Sequence, residues 1–320
     1  MTSSSMTCFG QVVIGPPGCG KTSYCQAMTQ LLKELGRKVA FINLDPANDN
    51  VSAECCMSIT ELVQMSEVME SLSLGPNGAL IHCMEVLAAN RTWLMDRIKQ
   101  YKDHYLIFDF PGQVELYTHH TVVRDLMRDL DAAGVRLCSV YLIDAHYANE
   151  PGKYVSALLV ALTSMLQMES PAINLLSKVD LVDKYESLQM PLEFYTEVLD
   201  LDYLLDQFED TPFTKKYKKL NKAIADLVTD YALVSLIPVS VQNRPTLLNV
   251  MKAVDKANGY VYGTNEERNI QRLLSCAVGA QFDDDRIGAV KDMYQDGDGD
   301  TDEEEERLLR AYATQNPNVK

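Results

Sequence analysis

The feature that most constrains this chain is an eight-residue turn, Gly15-Pro16-Pro17-Gly18-Cys19-Gly20-Lys21-Thr22, set between an apolar run and a helical pattern. It matches G-x-x-x-x-G-K-[ST]. Upstream, Cys8 to Ile14 reads as a buried strand; downstream, Tyr24, Cys25, Met28, Leu31, Leu32 and Leu35 recur at helical spacing until Gly36. Such a turn lets backbone N–H groups converge on phosphate, and the helix N-terminus adds positive potential. Gly18, Cys19, Gly20, Lys21, Thr22 and Ser23 are therefore the candidate phosphate contacts. Lys21 is expected to reach the β- and γ-phosphates, and the Thr22 hydroxyl to ligate Mg²⁺. A thiol beside a helix N-terminus is expected to have a lowered pKa, so Cys19 reads as reactive.

The rest of the chain follows the same alternation. Lys38 to Leu44 is a second strand, and strand, helix, strand in that order implies a right-handed crossover and parallel pairing. Further apolar runs lie at Tyr105 to Phe110, Leu137 to Ile143, Ile173 to Leu176 and Leu233 to Val239, separated by helical patterns such as Tyr154 to Met168. This predicts an α/β P-loop fold with a mostly parallel, doubly wound sheet over residues 1–282. Residues 181–231 depart from the alternation and read as a helical insertion before the last strand. From Asp283 the apolar periodicity stops, and residues 283–320 read as a disordered acidic tail. Between Asp283 and Glu306 there are 12 acidic residues against Arg286 and Lys291, a net −10 of the chain's −16. A calcium-loop reading of Asp296, Asp298 and Asp300 fails, because Thr301 and Arg307 stand where Gly and Glu are needed.

That charge argues against a general nucleic-acid or membrane binder, which needs excess Lys and Arg. Eight cysteines are scattered without a C-x-x-C pair, which fits thiols in a reducing compartment. Met1 to Thr7 lacks the marks of a signal peptide, and Val155 to Leu166 is too short to span a bilayer, so a cytoplasmic location is expected.

Three more motifs end strands. Asp109-Phe110-Pro111-Gly112-Gln113 puts a carboxylate where it can hold the Mg²⁺ shell, the Gly112 N–H where it can sense the γ-phosphate, and Gln113 where it can orient water. Alone, D-x-P-G is a common turn; after a P-loop it gains meaning. Ser177-Lys178-Val179-Asp180 has the form of a guanine reader with Ser in place of Asn. Asp180 would accept from the N1–H and exocyclic amine of guanine, a donor pair adenine lacks, while the Lys178 stem covers the base face. Ser240, after the last strand, is the candidate backbone contact to the base. In Asn43-Leu44-Asp45-Pro46-Ala47, Asp45 should lie near the P-loop and act on water or the Mg²⁺ shell, against the plainer reading of a helix-capping Asp before Pro.

Together with Gly75-Pro76-Asn77, these elements resemble the GPN-loop GTPases. The resemblance covers roughly Phe9 to Ala280, through NLDPAN, GPNG, DFPGQVELYTHH, NLLSKVDL and VDKANGY, in the branch with an IGPPGxGKT loop and a SKxD reader. It implies a dimer, either a homodimer or a heterodimer with another GPN-loop GTPase, in which Asn77 enters the partner's site and stabilises the γ-phosphate. It also implies a supporting role for Glu115, and work in assembly and nuclear import of RNA polymerase II, through its subunits or assembly factors, with shuttling to the nucleus. On its own, Gly75-Pro76-Asn77-Gly78 would read as a β-turn.

A nucleotide kinase remains the main alternative, since GPPGCGKTS also looks like an adenylate-kinase loop. Phosphoryl transfer to a second substrate usually uses a lid with arginines, and residues 181–231 carry six lysines and no Arg. A ParA- or MinD-like ATPase would carry an early loop Lys where Pro16 and Pro17 stand, and a non-enzymatic scaffold would not need Lys21, Thr22 and Asp109 intact.

Overall fold

A computed structural model describes residues 8–48, 54–184, 190–198, 201–206, 212–231, 234–261 and 270. Its centre is a seven-stranded sheet. The strands are β1 (Cys8–Ile14), β2 (Val39–Asn43), β3 (Cys55–Ser58), β4 (Tyr105–Asp109), β5 (Val135–Asp144), β6 (Ala172–Ser177) and β7 (Leu236–Val239). Every pairing is parallel. Parallel strands are covered on both faces, which is why these segments read as continuous apolar runs rather than alternating ones.

The helices are α1 (Lys21–Glu34), α2 (Met65–Leu72), α3 (Pro76–Ala89), α4 (Arg91–Ile98), α5 (Glu115–Thr118), α6 (Val122–Ala132), α7 (Pro151–Met168), α8 (Leu192–Thr196), α9 (Leu201–Asp206), α10 (Pro212–Tyr231) and α11 (Arg244–Asn258). Tyr24, Met28 and Leu32 of α1, with Leu248 and Met251 of α11, pack against Val13, Phe41, Ile107 and Val140 on one face of the sheet. On the other face Leu80 and Met84 of α3, Leu126 of α6 and Leu158 and Leu162 of α7 meet Val12, Ile42 and Phe108. Among the described residues no helix is long and apolar enough to cross a membrane, and Cys8, Cys19, Cys25, Cys55, Cys56, Cys83 and Cys138 are free thiols.

The strand order is β3-β2-β4-β1-β5-β6-β7. The crossover from β1 to β2 is parallel, as the sequence implied, but the two are not neighbours: β4 lies between them. The sequence reading also missed β3, four residues (CCMS) at the sheet edge. Between β6 and β7 the described residues of 181–231 fall mainly in helices, α8, α9 and α10, after a 3₁₀ segment, Val179–Lys184. The expected acidic tail, 283–320, lies outside the described residues.

The topology makes the site. The chain lays β2, β3 and β4 to one side of β1, then crosses over and lays β5, β6 and β7 to the other. In open parallel sheets the crevice beyond the carboxyl ends of the strands at such a reversal is where ligands bind. Register brings the functional strand ends level. Asp109 stands opposite Val13 on one side and Asn43 on the other, and Asp144 opposite Ser177, itself opposite Val239.

Away from those strand ends, Arg37 anchors the fold. Its guanidinium, 2% exposed, lies 2.5 Å from Asp255 of α11 and is stacked over the rings of Tyr105 and Tyr260 at 5.1 and 4.1 Å. Asn258 donates to the Gly10 carbonyl at 3.1 Å. This gives the VDKANGY segment, Val254 to Tyr260, a structural role: it ties the last helix to β1 and to the starts of β2 and β4.

Candidate functional site

The loop after β1 wraps above the sheet as the motif predicts. Gly18 and Gly20 sit at φ 80° and 92°, a left-handed region costly for other residues. Gly20 caps α1, whose first residue is Lys21. The Lys21 side chain is buried, and its Nζ donates to the Pro16 carbonyl at 3.1 Å, so in this structure the ammonium folds back on its own loop.

Thr22 Oγ1 donates to Asp109 Oδ2 at 2.7 Å. The other oxygen, Asp109 Oδ1, is buried with no hydrogen-bond partner. Burial pushes this carboxyl from 3.8 to about 6, the Thr22 bond and Lys21 oppose that, and the charge of Asp45 adds to it. Burial also raises Asp45, against the Ala47 N–H and Lys21. Two carboxylates raised by burial, Asp109 also by the charge of Asp45, with one oxygen orphaned beside a hydroxyl, form a donor set that a hard divalent cation would satisfy. These residues fit Mg²⁺: Thr22 and Asp109 would supply oxygen ligands, and substrate phosphates and water would complete the shell. No cluster of three or more His, Cys, Asp or Glu side chains able to hold a metal by themselves occurs among the described residues.

Asp45 follows β2 and, with β4 the only strand between, reaches the P-loop side of the sheet. Its Oδ1 accepts from the Ala47 N–H at 2.9 Å, so it closes a turn and caps no helix. Asn43 braces it: the amide accepts from the Asp45 N–H at 3.3 Å and donates to Ser58 Oγ at 3.1 Å. The sequence reading passed over this Asn43–Ser58 brace, because Ser58 belongs to the strand it missed. The β2–β3 pairing that joins the two could not be read from local pattern.

Gly112 packs on the P-loop. A Cβ there would lie 2.9 Å from Pro17 Cα and 3.0 Å from Lys21 Nζ, so the segment after β4 can approach the loop only as glycine. Next to it, Gln113 Nε2 donates to Glu115 Oε2 at 2.8 Å, and the Tyr117 hydroxyl donates to the Pro111 carbonyl from inside the core. Glu115 thereby fixes the amide expected to hold water.

The reader segment is tied to the loop. Ser177 Oγ lies 2.8 Å from the Cys19 carbonyl and 3.1 Å from that of Ile143. Lys178, at φ 60°, pairs with Asp144 at 2.6 Å, and its Cε lies 3.9 Å from where a Gly20 Cβ would stand. Asp144, absent from the sequence reading, thus positions the stem expected to cover the base. Asp180 is the second residue of the 3₁₀ segment just beyond. Ser240 is buried; its N–H donates to Thr246 Oγ1 at 3.2 Å and its carbonyl accepts from the same hydroxyl at 3.0 Å.

One expectation needs correction, and one plainer alternative falls away. Cys19 is buried, and burial pushes its thiol up to about 11 in spite of Lys21. Desolvation outweighs the helix N-terminus because the thiol points beneath the loop, 3.1 Å from where a Gly15 Cβ would be. Gly75-Pro76-Asn77 is not a β-turn: Gly75 caps α3, and Pro76 opens it. Asn77 is exposed, with no hydrogen bond joining its side chain to Lys21, Asp109 or Gln113. A separate cavity of about 420 Å³ touches the site at Pro16 and Val114 and runs along α7; its charged walls, Glu150 and Lys153, pair with each other at 2.6 Å.

A P-loop at a topological reversal, a strand-end carboxylate bound to the loop threonine, and a Lys-x-Asp reader joined to the loop define a P-loop nucleotide-binding protein of the doubly wound α/β class. A family model described as a conserved hypothetical ATP binding protein matches residues 13–260. The chain is 48% identical over 288 residues to GPN-loop GTPase 2 of Danio rerio, covering 90% of this chain and 93% of that one. It is 44% identical to GPN-loop GTPase QQT1 of Arabidopsis thaliana (90% and 97% covered) and 38% identical to GPN-loop GTPase 2 of Saccharomyces cerevisiae (97% and 92%). The chain belongs to the GPN-loop GTPase family. Its fold matches the crystal structure of an apo-form GTPase from Pyrococcus abyssi, with a TM-score of 0.64 at 22% identity, over 81% of this chain and all of that one.

Proposed function

We propose that this chain binds GTP with Mg²⁺ and hydrolyses it as a conformational switch, with a site completed by a second subunit. The observation that carries the reading is Asp109, a buried carboxylate bonded to Thr22 through one oxygen and unpartnered at the other. When bound, Mg²⁺ neutralises charge on the β- and γ-phosphate oxygens.

The chain's own residues do the rest. Lys21 leaves the Pro16 carbonyl for the β- and γ-phosphate oxygens. Gln113, held by Glu115, orients a water in line with the γ-phosphorus, and Asp45 accepts a hydrogen bond from that water. The water oxygen bonds to phosphorus, the β–γ bridging oxygen leaves with the electron pair, and the products are GDP and phosphate. Asp180 accepts from two guanine donors, with Lys178 across the base.

No Arg stands in the P-loop or among Asp45, Asp109 and Gln113 to balance charge in the transition state. The exposed Asn77, at the start of α3 and bonded to none of those groups, suits delivery to a partner's site in a homodimer or in a heterodimer with another GPN-loop GTPase. We propose further that the switch serves assembly and nuclear import of RNA polymerase II, with the protein cytoplasmic and shuttling, a reading supported by the resemblance to the family alone.

Turnover against protein concentration, with dimer fraction followed by light scattering, tests the reading. Asn77→Ala should lower kcat about 10²–10³-fold, the value of one transition-state donor, while GTP affinity holds. Wild-type rate per site should rise as dimer forms. A flat rate across that range, or hydrolysis insensitive to removal of Mg²⁺, refutes it.

A further inference from the structure

We propose that an exposed flank of α10 docks the chain's own acidic C-terminal segment, residues 296–313. Helix α10 packs inward through Ala225 and Val228, both 1% exposed. Beside that inward face, and continuous with it, runs a flank of apolar residues at heptad spacing: half-buried Tyr217 and Ile224 with exposed Leu220, Leu227 and Tyr231. Leu220, Leu227 and Tyr231 are 54%, 44% and 46% exposed, a row of large side chains that a surface helix does not normally leave in water. Spacing of three and four residues over this length is the seam of a helix with a helical partner.

Charge says which partner. The first half of α10 reads KKYKKLNK from Lys215 to Lys222, five positive residues without an acid, in a chain whose net charge is −16. A negatively charged ligand is therefore selected. The chain carries one of matching layout: Asp296 to Glu306 holds eight acidic residues and no basic one. Next come Leu308, Leu309 and Tyr312, at i, i+1 and i+4, a spacing that a helix formed on docking would bring to one face. Along α10 the basic block precedes Leu227 and Tyr231; along the tail the acidic block precedes Leu308, Leu309 and Tyr312. Laid parallel, acid meets base and apolar meets apolar in one register.

Chain length permits it. Between Ile270 and Asp296 there are 25 residues, enough to span tens of ångströms at roughly 3.3–3.6 Å per extended residue. A tether of that order holds the segment at an effective concentration of about a millimolar, so weak contacts suffice. Charge supplies attraction that salt screens, and the apolar residues supply register. Since α10 lies in the insertion between the reader strand and β7, tail docking would compete there with an acidic, amphipathic segment of another protein.

The test is zero-length carbodiimide cross-linking of the full chain at low concentration, with peptide mapping. Docking predicts links between carboxylates of 296–306 and Lys215, Lys216, Lys218, Lys219 or Lys222, at the mass of a monomer. Their yield should fall more than about tenfold in Leu308→Asp/Leu309→Asp, since burial of each leucine is worth about a tenfold factor or more. It should also fall in high salt. Lys218→Glu/Lys219→Glu should remove links at those positions, and adding Glu303→Lys/Glu304→Lys should restore them with the polarity exchanged. Restoration separates lost pairing from damage to α10. Links found only at dimer mass would show that a second copy occupies the face, and an even spread of tail links over surface lysines would show that nothing specific docks. Either result overturns the proposal.

Discussion

Replacing Asp109 with asparagine should stabilise the metal-free protein and abolish its stabilisation by GTP and Mg²⁺. Folding buries this carboxyl completely and moves it from 3.8 to about 6. At 1.36 kcal/mol per pH unit, keeping it ionised above pH 6 costs the apo fold about 3 kcal/mol. The folded state holds the proton more tightly than the unfolded one, so between pH 4 and 6 it binds more protons. Stability from this group is therefore greatest at the acid end and declines as pH rises through 6. Asparagine is neutral throughout, and its carbonyl can still accept from Thr22. Its NH₂, however, comes to the place where Oδ1 now finds no partner, at a cost of about 1–2 kcal/mol. The net gain at pH 8 is about 1–2 kcal/mol, roughly 2–8 °C in Tm for a domain of this size. By pH 5 the wild-type carboxyl is largely protonated and the advantage should vanish. Thermal melts in EDTA at pH 5 and 8 measure both values. Adding GTP and Mg²⁺ at about 100 times Kd should stabilise the wild type by about 2.7 kcal/mol and leave the variant unmoved. A variant less stable than wild type in EDTA at pH 8, yet still protected by GTP and Mg²⁺, would falsify the assignment of Asp109 as the buried ligand.

Base choice is open to direct test, because the matching family model is described by ATP and the relatives by GTP. Asp180→Asn should weaken GTP binding by about 10²–10⁴-fold and improve binding of xanthosine triphosphate, at about 1.5–3 kcal/mol per charged hydrogen bond; equal wild-type affinities for ATP and GTP contradict that role. Cys19, with its thiol near 11, should react slowly with iodoacetamide at pH 7.5 in the native protein and quickly once unfolded. Stoichiometric native labelling mapped to Cys19 would place the thiol in the phosphate site instead. Arg37→Ala leaves Asp255 buried without its guanidinium and should cost about 3–5 kcal/mol in urea unfolding, much of it recovered by Arg37→Met with Asp255→Leu. A loss under 1 kcal/mol would mean that water enters the pair.

How much of this was legible in the sequence follows from the range of the forces involved. The P-loop and α1 were readable, because glycines, Lys21 and the helical repeat act within a few residues of one another. Six strands were readable as apolar runs, since a parallel sheet buries both faces of each. The strand β3 was not: CCMS is short, lies at the edge and is half-buried over Cys55 and Cys56, so neither length nor hydrophobicity marks it. Nor could the sequence place β4 between β1 and β2, because strand order is settled by how crossovers pack. That placement sets Asp109 between Val13 and Asn43 and brings it near Asp45. Chemistry at single residues divides the same way. Sequence named Thr22 and Asp109, 87 positions apart, as candidate ligands of one Mg²⁺ ion; that their side chains meet in a 2.7 Å hydrogen bond was decided by the fold. Sequence misjudged Cys19, because a thiol's acidity depends on which side of the loop it faces, and it could not find Asn43–Ser58 or Asp144–Lys178, whose members meet only across strands. Local pattern determined which groups this protein carries. Only the tertiary structure decided their solvation and their neighbours, since burial and long-range contact exist only once the sheet has closed.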